Sequence, residues 1–111
     1  MTLAELKTAL EGTGLPVAYR EFISTVENPA PDPPFICIQF ANSDDVMADN
    51  QNYKGIGNYD VELYAELKDQ TTEGLVEAVL QTNRLAWRKS EYYIETEKFN
   101  QVVYEIQLIG G

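Results

Sequence analysis

A pair of carboxylates near the C-terminus is the first feature of this chain that could do chemistry. Glu95 and Glu97 are two residues apart, and two carboxyl groups flanking one bond are the usual equipment of glycoside hydrolysis. The surrounding pattern predicts a strand, however, and residues i and i+2 of a strand point to the same face. A solvated sheet surface explains the pair better than an active site does, so we assign neither residue a catalytic role.

Three aspartates, Asp44, Asp45 and Asp49, lie in a polar stretch and could offer oxygen ligands to calcium. An EF-hand loop needs carboxylates or amides at alternate positions, followed by a glycine and, later, a glutamate. The spacing here does not match that pattern. Aspartates are also frequent in solvated turns, because their side chains hydrogen-bond to nearby backbone groups. We therefore predict no metal site.

The residue inventory excludes most other catalytic machinery. The chain has no histidine and one cysteine, Cys37, so it cannot form a Ser-His-Asp triad, a Cys-His pair or an ordinary zinc site. It has no GxxxxGK[ST] loop, and the Gly55-Ile56-Gly57 run is too short for a dinucleotide fingerprint. The sequence predicts a protein that is not an enzyme and has no cofactor. The single cysteine, which lies in an apolar run, fits a reducing compartment.

The charge balance bears on possible partners. Eighteen acidic and eight basic residues give a net charge of −10 over 111 residues. Duplex nucleic acid is bound through clusters of lysine and arginine, and the densest group here, Arg84, Arg88 and Lys89, is too small for such a site. No apolar run approaches the ~20 residues that cross a bilayer, and the N-terminus lacks the pattern of a cleaved signal. We expect neither a nucleic-acid site nor a membrane segment.

Seven tyrosines are the remaining unusual feature. Alternation predicts that Tyr59 and Tyr104 belong to a buried face, whereas Tyr64 and Tyr93 fall on the opposite face and Tyr53 lies in a long loop. Exposed tyrosine is enriched at protein interfaces, because it buries a large area with little loss of side-chain entropy. We therefore predict a subunit interface that includes Tyr53, Tyr64 and Tyr93.

Alternating apolar and polar residues predict the sheet that positions these side chains. Residues 58–67 and 102–108 alternate with the period of two of a half-buried strand. We predict further strands at 17–22, 35–40 and 85–98, the last in a hairpin with 101–109. Amphipathic helices are predicted over 2–12, with Thr2 and Glu5 forming a capping box, and over 72–83.

Together these elements predict a single α+β domain over residues 1–111. Its sheet has four to five strands, is largely antiparallel or mixed, and carries two helices on one face, which leaves the other face open. A proline-rich loop at 28–34 and a long polar loop at 42–57 connect the strands. The predicted core consists of Leu3, Leu6, Leu10, Ile36, Ile38, Val61, Leu63, Leu75, Val79, Leu80, Tyr104, Ile106 and Leu108.

Four segments carry a family resemblance that covers residues 1–109. They are TLAELKTALEGTGLPVAYREF, PPFICIQF, NYKGIGNYDVELYAELKD and YYIETEKFNQVVYEIQL. The most specific pieces are GLPVAY before the proline-rich loop and the YxVELYxxxKD strand. With them the chain resembles the tail-terminator (tail-completion, head-tail joining) family of small morphogenesis proteins from tailed bacteriophages and prophages.

The resemblance implies a structural protein and a place of assembly. Members of this family share an α+β fold and form rings, commonly hexameric, that cap the tail tube and join it to the head. The expected partners are further copies of the chain, the major tail tube protein and a head-connector protein. The expected location is the bacterial host cytoplasm during assembly and then the virion. The tail terminator and a neighbouring head-tail joining protein of similar size both remain open.

A different class of protein also fits the composition. A small monomeric acidic binding or regulatory module could use the net charge of −10 to mimic nucleic acid and inhibit a basic partner. Salt separates the two hypotheses, because screening weakens attraction to a basic partner but also weakens repulsion between acidic subunits.

Overall fold

The fold of the chain is a mixed five-stranded sheet with two helices, as predicted. The computed structural model describes residues 1–23, 25–27, 29–43, 46–48 and 51–109, with the backbone alone for 46–48 and 51–54. The elements in chain order are α1 (Leu3–Glu11), β1 (Val17–Tyr19), β2 (Phe35–Ser43), β3 (Val46–Ala48), β4 (Gln51–Lys54), β5 (Ile56–Ala65), α2 (Gln70–Thr82), β6 (Arg88–Ile94) and β7 (Phe99–Ile109).

The main sheet has the strand order β1-β2-β5-β7-β6. β1 pairs with β2 in parallel, and the other three ladders are antiparallel. The long pairing of β5 with β7 forms the centre of the sheet, because alternation gives both strands one apolar face to bury. The parallel edge arises because the chain passes through 20–34 before it returns as β2. No helix in the described ranges has the length and apolar character to cross a membrane.

Local sequence determines both ends of α1. The Thr2 side chain accepts a hydrogen bond from the Glu5 backbone N–H, and the Glu5 side chain accepts one from the Thr2 N–H, at 3.1 and 2.9 Å. This is the predicted capping box. The helix ends at Glu11 with Gly12 as its C-cap, and Gly14 adopts a φ of +87°, which favours glycine. Pro16 then leads into β1, which ends at Tyr19 and is shorter than the predicted 17–22.

The buried face of α2 differs from the predicted one. Asp69 caps the helix by accepting a hydrogen bond from the Thr72 N–H at 3.1 Å, so the helix begins at Gln70. Its buried residues include Glu73 and Val76, whereas Leu75, which was predicted to be buried, is 45% exposed. The prediction was wrong because it assigned the inner face by apolar character alone. The face is rotated toward Glu73, whose carboxylate lies between two lysines.

The core lies between this helix layer and one face of the sheet. Apart from Leu75, the predicted core residues are buried or, for Leu3 and Val79, partly buried against the cluster. The core cluster comprises Leu6, Leu10, Val17, Ile36, Ile38, Val61, Leu63, Val76, Leu80, Val102, Tyr104, Ile106 and Leu108. Side chains from both helices belong to it, so both helices pack on the same face of the sheet.

The segment 42–57, predicted as a loop, carries strands instead. β2 continues to Ser43, β3 and β4 pair with each other antiparallel, and β5 begins at Ile56. A polar composition misled the prediction, because the two strands of the ribbon have no apolar alternation to reveal them. Asp44, Asp45 and Asp49 lie outside the described residues. Among the residues that are described, no three possible metal-ligating side chains converge.

The hairpin of β6 and β7 turns earlier than predicted. β6 ends at Ile94, residues 95–98 form the turn, and Lys98 adopts a φ of +57° before β7 begins at Phe99. Glu95 and Glu97, which were predicted to share the outward face of a strand, are therefore turn residues. Both are exposed, so they form no enclosed carboxylate pair.

Candidate functional site

The face of the sheet opposite the helices is the candidate functional site, and its side chains form three rows across the strands. The first row is Phe35, Tyr64, Gln101 and Tyr92, the second is Cys37, Glu62, Val103 and Ser90, and the third is Gln39, Asp60, Glu105 and Arg88. We call these twelve residues the open face. Their neighbours along each strand point to the core, because successive side chains alternate between the faces.

Aromatic rings occupy one end of the open face. The Phe35 ring stacks on the Tyr64 ring with centroids 5.2 Å apart, and it receives the edges of Phe22 at 5.3 Å and Phe99 at 6.4 Å. Offset and edge-on contacts of this kind stabilise aromatic pairs beyond simple burial. The cluster joins the chain after β1 to β2, β5 and β7, and it gives this end of the face an apolar surface.

Tyr64 is held in place by polar contacts as well as by stacking. Its hydroxyl donates to Glu62 Oε1 at 3.1 Å and accepts from Gln101 Nε2 at 3.0 Å. Burial, followed by the nearby Glu62 charge, raises the pKa of the Tyr64 phenol. The sequence placed this tyrosine on the correct face. Its ring is half-buried within the chain, so it offers a partner an edge and a fixed hydroxyl rather than a free side chain.

Carboxylates occupy the other end of the open face. Asp60 lies directly opposite Glu105, and Glu62 lies on the same face of β5. Partial burial raises the pKa of Asp60, and the Glu105 charge adds to that effect. Burial also raises the pKa of Glu62, although hydrogen bonds from Tyr64 and from Gln39 Nε2, at 3.3 Å, offset part of the rise. Like charges on opposed strand positions destabilise a sheet, so this arrangement has a cost in stability.

Cys37 lies between the aromatic and carboxylate ends of the open face, and its thiol is unreactive. It is buried, and burial, together with the charges of Glu62 and Glu21, raises the pKa of its thiol to about 11. The thiolate is the reactive form of cysteine. The side chain therefore stays neutral near pH 7 and serves as packing.

Two lysines pair with carboxylates on the helix side of the sheet. Lys89 contacts Glu73 at 2.7 Å and Glu77 at 3.0 Å, and Lys68 contacts Glu73 at 2.9 Å and also Glu91. Within the described residues, no lysine or arginine forms an ion pair with Asp60, Glu62 or Glu105. The open face therefore carries three carboxylates without an ion pair and one cation, Arg88, which lies opposite Glu105.

Glu73 is the centre of the helix-side network. Its side chain is 4% exposed. Burial raises its pKa, but hydrogen bonds from Lys89 and Lys68 outweigh burial, and the pKa lies below its usual range. Tyr104 extends the network by donating to Glu77 Oε2 at 2.9 Å. These contacts join α2 to β6 and β7. No local sequence pattern predicts these contacts, because the paired residues are far apart along the chain.

The three predicted interface tyrosines do not lie together. Tyr64 is on the open face, but Tyr93 pairs with Asn100, which pairs with Ala65 on the helix side of the sheet. The open-face position on β6 belongs to Tyr92 instead. A one-residue error in strand parity moves every side chain to the opposite face, and the early turn at 95–98 produced that error. The side chain of Tyr53 lies outside the described residues.

Comparison with known proteins adds no assignment. Neither a scan against protein-family models nor a search of curated proteins found a match to this chain. The open face has two features that suit contact with a partner. Its aromatic end offers area, and its carboxylate end repels phosphate or attracts a basic surface.

Proposed function

We propose that this chain is the subunit of a homo-oligomeric ring that closes the top of a phage or prophage tail, as a tail terminator or a head-tail joining protein. In such a ring the open face, or its carboxylate end, borders the lumen. The observation that carries the proposal is the separation of charge. The described lysine ion pairs lie on the helix side, whereas Asp60, Glu62 and Glu105 form no ion pair on the opposite face, where Arg88, beside Glu105, is the one cation among the twelve open-face residues.

This separation suits a passage for DNA. A lumen wall that held lysine or arginine would bind phosphates and retain the duplex. Carboxylates in the same position repel phosphate, so DNA passes without being held. The cost of placing Asp60 opposite Glu105 is consistent with a functional role for the pair.

The resemblance of residues 1–109 to tail-terminator proteins supports the same proposal independently. Closed rings are built from head-to-tail contacts between two unlike surfaces of each subunit. The aromatic end of the open face and the β3–β4 ribbon supply candidate surfaces, with Tyr53 on the ribbon and Tyr64 in the aromatic cluster. The expected partners are further copies of the chain, the major tail tube protein and a head-connector protein.

Electron microscopy of the purified chain with its tail tube protein tests the proposal. We expect closed rings, either free at high concentration or seated on tube ends, and tubes of limited length when the chain is present. Unlimited tube growth with no ring at either end would contradict the proposal. Asp60→Asn with Glu105→Gln should leave ring formation intact while increasing retention of duplex DNA by the ring.

A second candidate follows from the same carboxylates. A monomeric acidic module could present Asp60, Glu62 and Glu105 to a basic partner and so mimic nucleic acid. Such a complex weakens steeply as salt rises, because its attraction is electrostatic. A subunit ring made of chains with a net charge of −10 should show the opposite dependence. The sign of the salt effect on association therefore separates the two candidates.

A further inference from the structure

The outer edge of β6 is open to strand pairing. β6 is the last strand of the main sheet, and no described strand lies on its outer side. It pairs with β7 from residue 88 to residue 94 without a register shift, and it contains no proline. Proteins usually protect an edge strand with bulges, proline, short length or charged side chains, because unpaired backbone groups recruit other strands. Lys89 does not protect this edge, since its side chain extends over the helix side to Glu73 and Glu77.

The charges of β6 are arranged so that two antiparallel copies of the strand complement each other. A two-fold axis at the edge places one residue beside its own counterpart and pairs the residues on either side of it. With Ser90 on the axis, Lys89 faces Glu91 of the second copy on the helix side, and the contact occurs twice. On the open face, Arg88, which has no ion pair with a described carboxylate, faces the ring of Tyr92 of the second copy. Opposite charges at facing strand positions stabilise a sheet.

Other registers of the same pairing are less favourable. A shift that places Lys89 or Glu91 on the axis brings two like charges directly opposite each other, which destabilises a sheet. Tyr92 on the axis pairs Glu91 with Tyr93 and aligns no opposite charges. Lys89 and Glu91 already form ion pairs within the subunit, but their side chains are 35% and 49% exposed, so a second copy can extend the network. The charges of the strand therefore favour the register with Ser90 on the axis.

Helix α2 lies where its counterpart in a second copy would meet it. Glu77 on α2 contacts Lys89 on β6 at 3.0 Å and the Tyr104 hydroxyl on β7 at 2.9 Å, so α2 lies over this pair of strands. Since neighbouring strands are roughly 4.8 Å apart, a helix above the middle of β6 and β7 would be separated from its two-fold counterpart by roughly 10 Å. Packed helices are separated by about 8–10 Å. Pairing of the two β6 edges therefore brings the two α2 helices into contact.

Gly74 is suited to such a contact. It is an exposed residue of α2 and lies three residues before Glu77, on the same side of the helix. Glycine within a helix is unfavourable, and a Cβ at this position would meet no described atom within 4 Å. Packing inside the described subunit therefore does not explain the glycine, whereas the close approach of a second helix does.

We propose that two copies of the free chain pair through β6, antiparallel about a two-fold axis at Ser90, with their α2 helices in contact at Gly74. The pair joins two five-stranded sheets into one, with all four helices on the same face. Its contact is isologous and its two ends are equal, whereas a ring that caps a tube has two unlike ends. The pair is therefore a form of the free chain. It goes beyond the proposed ring and does not depend on it.

Self-crosslinking of a single introduced cysteine tests the two-fold axis. Ser90→Cys should form a covalent dimer when the free chain is treated with diamide, which oxidises the two introduced thiols to a disulfide. We expect crosslinking at least roughly tenfold faster than for Glu97→Cys, because pairing raises the effective concentration of the thiol at the axis. Glu97 is exposed in the 95–98 turn, away from the axis. Cys37 is buried and does not compete.

A substitution at Gly74 tests the contact between helices. Gly74→Gln should raise the dissociation constant of the pair by more than roughly tenfold in sedimentation of the free chain. The melting temperature should not fall, because glutamine favours a helix more than glycine does. Leu75→Gln is the matched control, since residue 75 lies roughly 100° further around the helix and is also exposed. The control should pair as tightly as the unmodified chain.

The outcomes distinguish the pair from the proposed ring. A head-to-tail contact does not place a residue beside its own counterpart, so rapid crosslinking at Ser90 reports the two-fold pair alone. If rings cap tubes but Ser90→Cys crosslinks no faster than Glu97→Cys, or if Gly74→Gln pairs as tightly as Leu75→Gln, the pair is wrong and the ring stands. If the pair forms but tail tubes grow without rings, the ring is contradicted and the pair stands.

Discussion

Asp60 and Glu105 occupy directly opposed positions on β5 and β7, in the centre of a sheet, with no cation bridging them in the described chain. A cross-strand pair of this kind opposes folding. The helix side of the same sheet shows the contrary arrangement, since two lysines surround Glu73. The subunit thus pairs the enclosed Glu73 with two lysines and leaves Asp60 and Glu105 without an ion pair on the face that we propose borders a lumen.

Asp60→Asn should stabilise the fold at pH 7 by about 0.2–1 kcal/mol, the range for cross-strand charge pairs. The pKa of Asp60 is raised in the folded state, so the folded chain holds its proton more tightly than the unfolded chain does. Stability therefore falls as pH rises from about 4 through the raised pKa. Urea denaturation across pH checks this. The gain from the substitution should vanish below about pH 4, and a loss of stability at pH 7 would contradict the account.

Leu63→Ala and Leu75→Ala form a matched pair. Leu63 is 1% exposed in the core, so its replacement by alanine should lower the free energy of unfolding by about 2–5 kcal/mol. Leu75 is 45% exposed, so its replacement by alanine should lower the free energy of unfolding by under about 0.5 kcal/mol, as at other surface positions. Denaturant melts of the two variants measure both values. Equal losses would show that α2 presents a different face to the sheet.

Glu73→Gln should destabilise the fold by about 1–3 kcal/mol, because it removes the charge between Lys68 and Lys89. The loss is no larger because both lysines can still reach solvent. Because the pKa of Glu73 is lowered in the folded state, its ionised carboxylate contributes its full stabilisation above the ordinary glutamate pKa of about 4.3. That stabilisation is lost as pH falls through the pKa of the folded state. Glu11→Gln is the control, since Glu11 is exposed and pairs only with Lys7. It should cost under about 0.5 kcal/mol.

Tyr93→Ala should weaken self-association and spare the fold. The side chain is more than half exposed and lies beside the 95–98 turn, and tyrosine is enriched among the interface residues whose truncation costs more than about 1 kcal/mol. Tyr64→Phe is the informative change at the other predicted tyrosine, because alanine would also destroy its stacking on Phe35. Sedimentation and thermal melting measured together distinguish weakened assembly from loss of folding.

Sequence patterns predicted the parts of the fold in which chemistry repeats along the chain. Apolar and polar residues alternate along β5 and β7, so the buried faces of both strands, which include Val61 and Leu108, were assigned correctly. The capping box of Thr2 and Glu5 is a local pattern, and it placed the start of α1. In each case the residues that determine the structure are neighbours or near neighbours in sequence.

The failures occurred where distant contacts decide the structure. β6, with the sequence RKSEYYI, has no apolar alternation, so its parity is set only by its register with β7, and Tyr93 was assigned to the wrong face. The rotation of α2 that buries Glu73 depends on Lys68 and Lys89, which lie 5 and 16 residues away from Glu73. No local pattern reveals contacts at such separations. The open face could be predicted, whereas the separation of charge across the sheet could not.

Sedimentation velocity across salt, with and without the tail tube protein, tests the central claim most directly. Chains with a net charge of −10 repel one another over the ~8–10 Å Debye length of moderate salt. We therefore expect an oligomer far above 12.5 kDa that strengthens as salt rises from low to moderate. A chain that stays monomeric at high concentration with tube protein present, or that associates only with a basic partner and releases it as salt rises, would contradict the account.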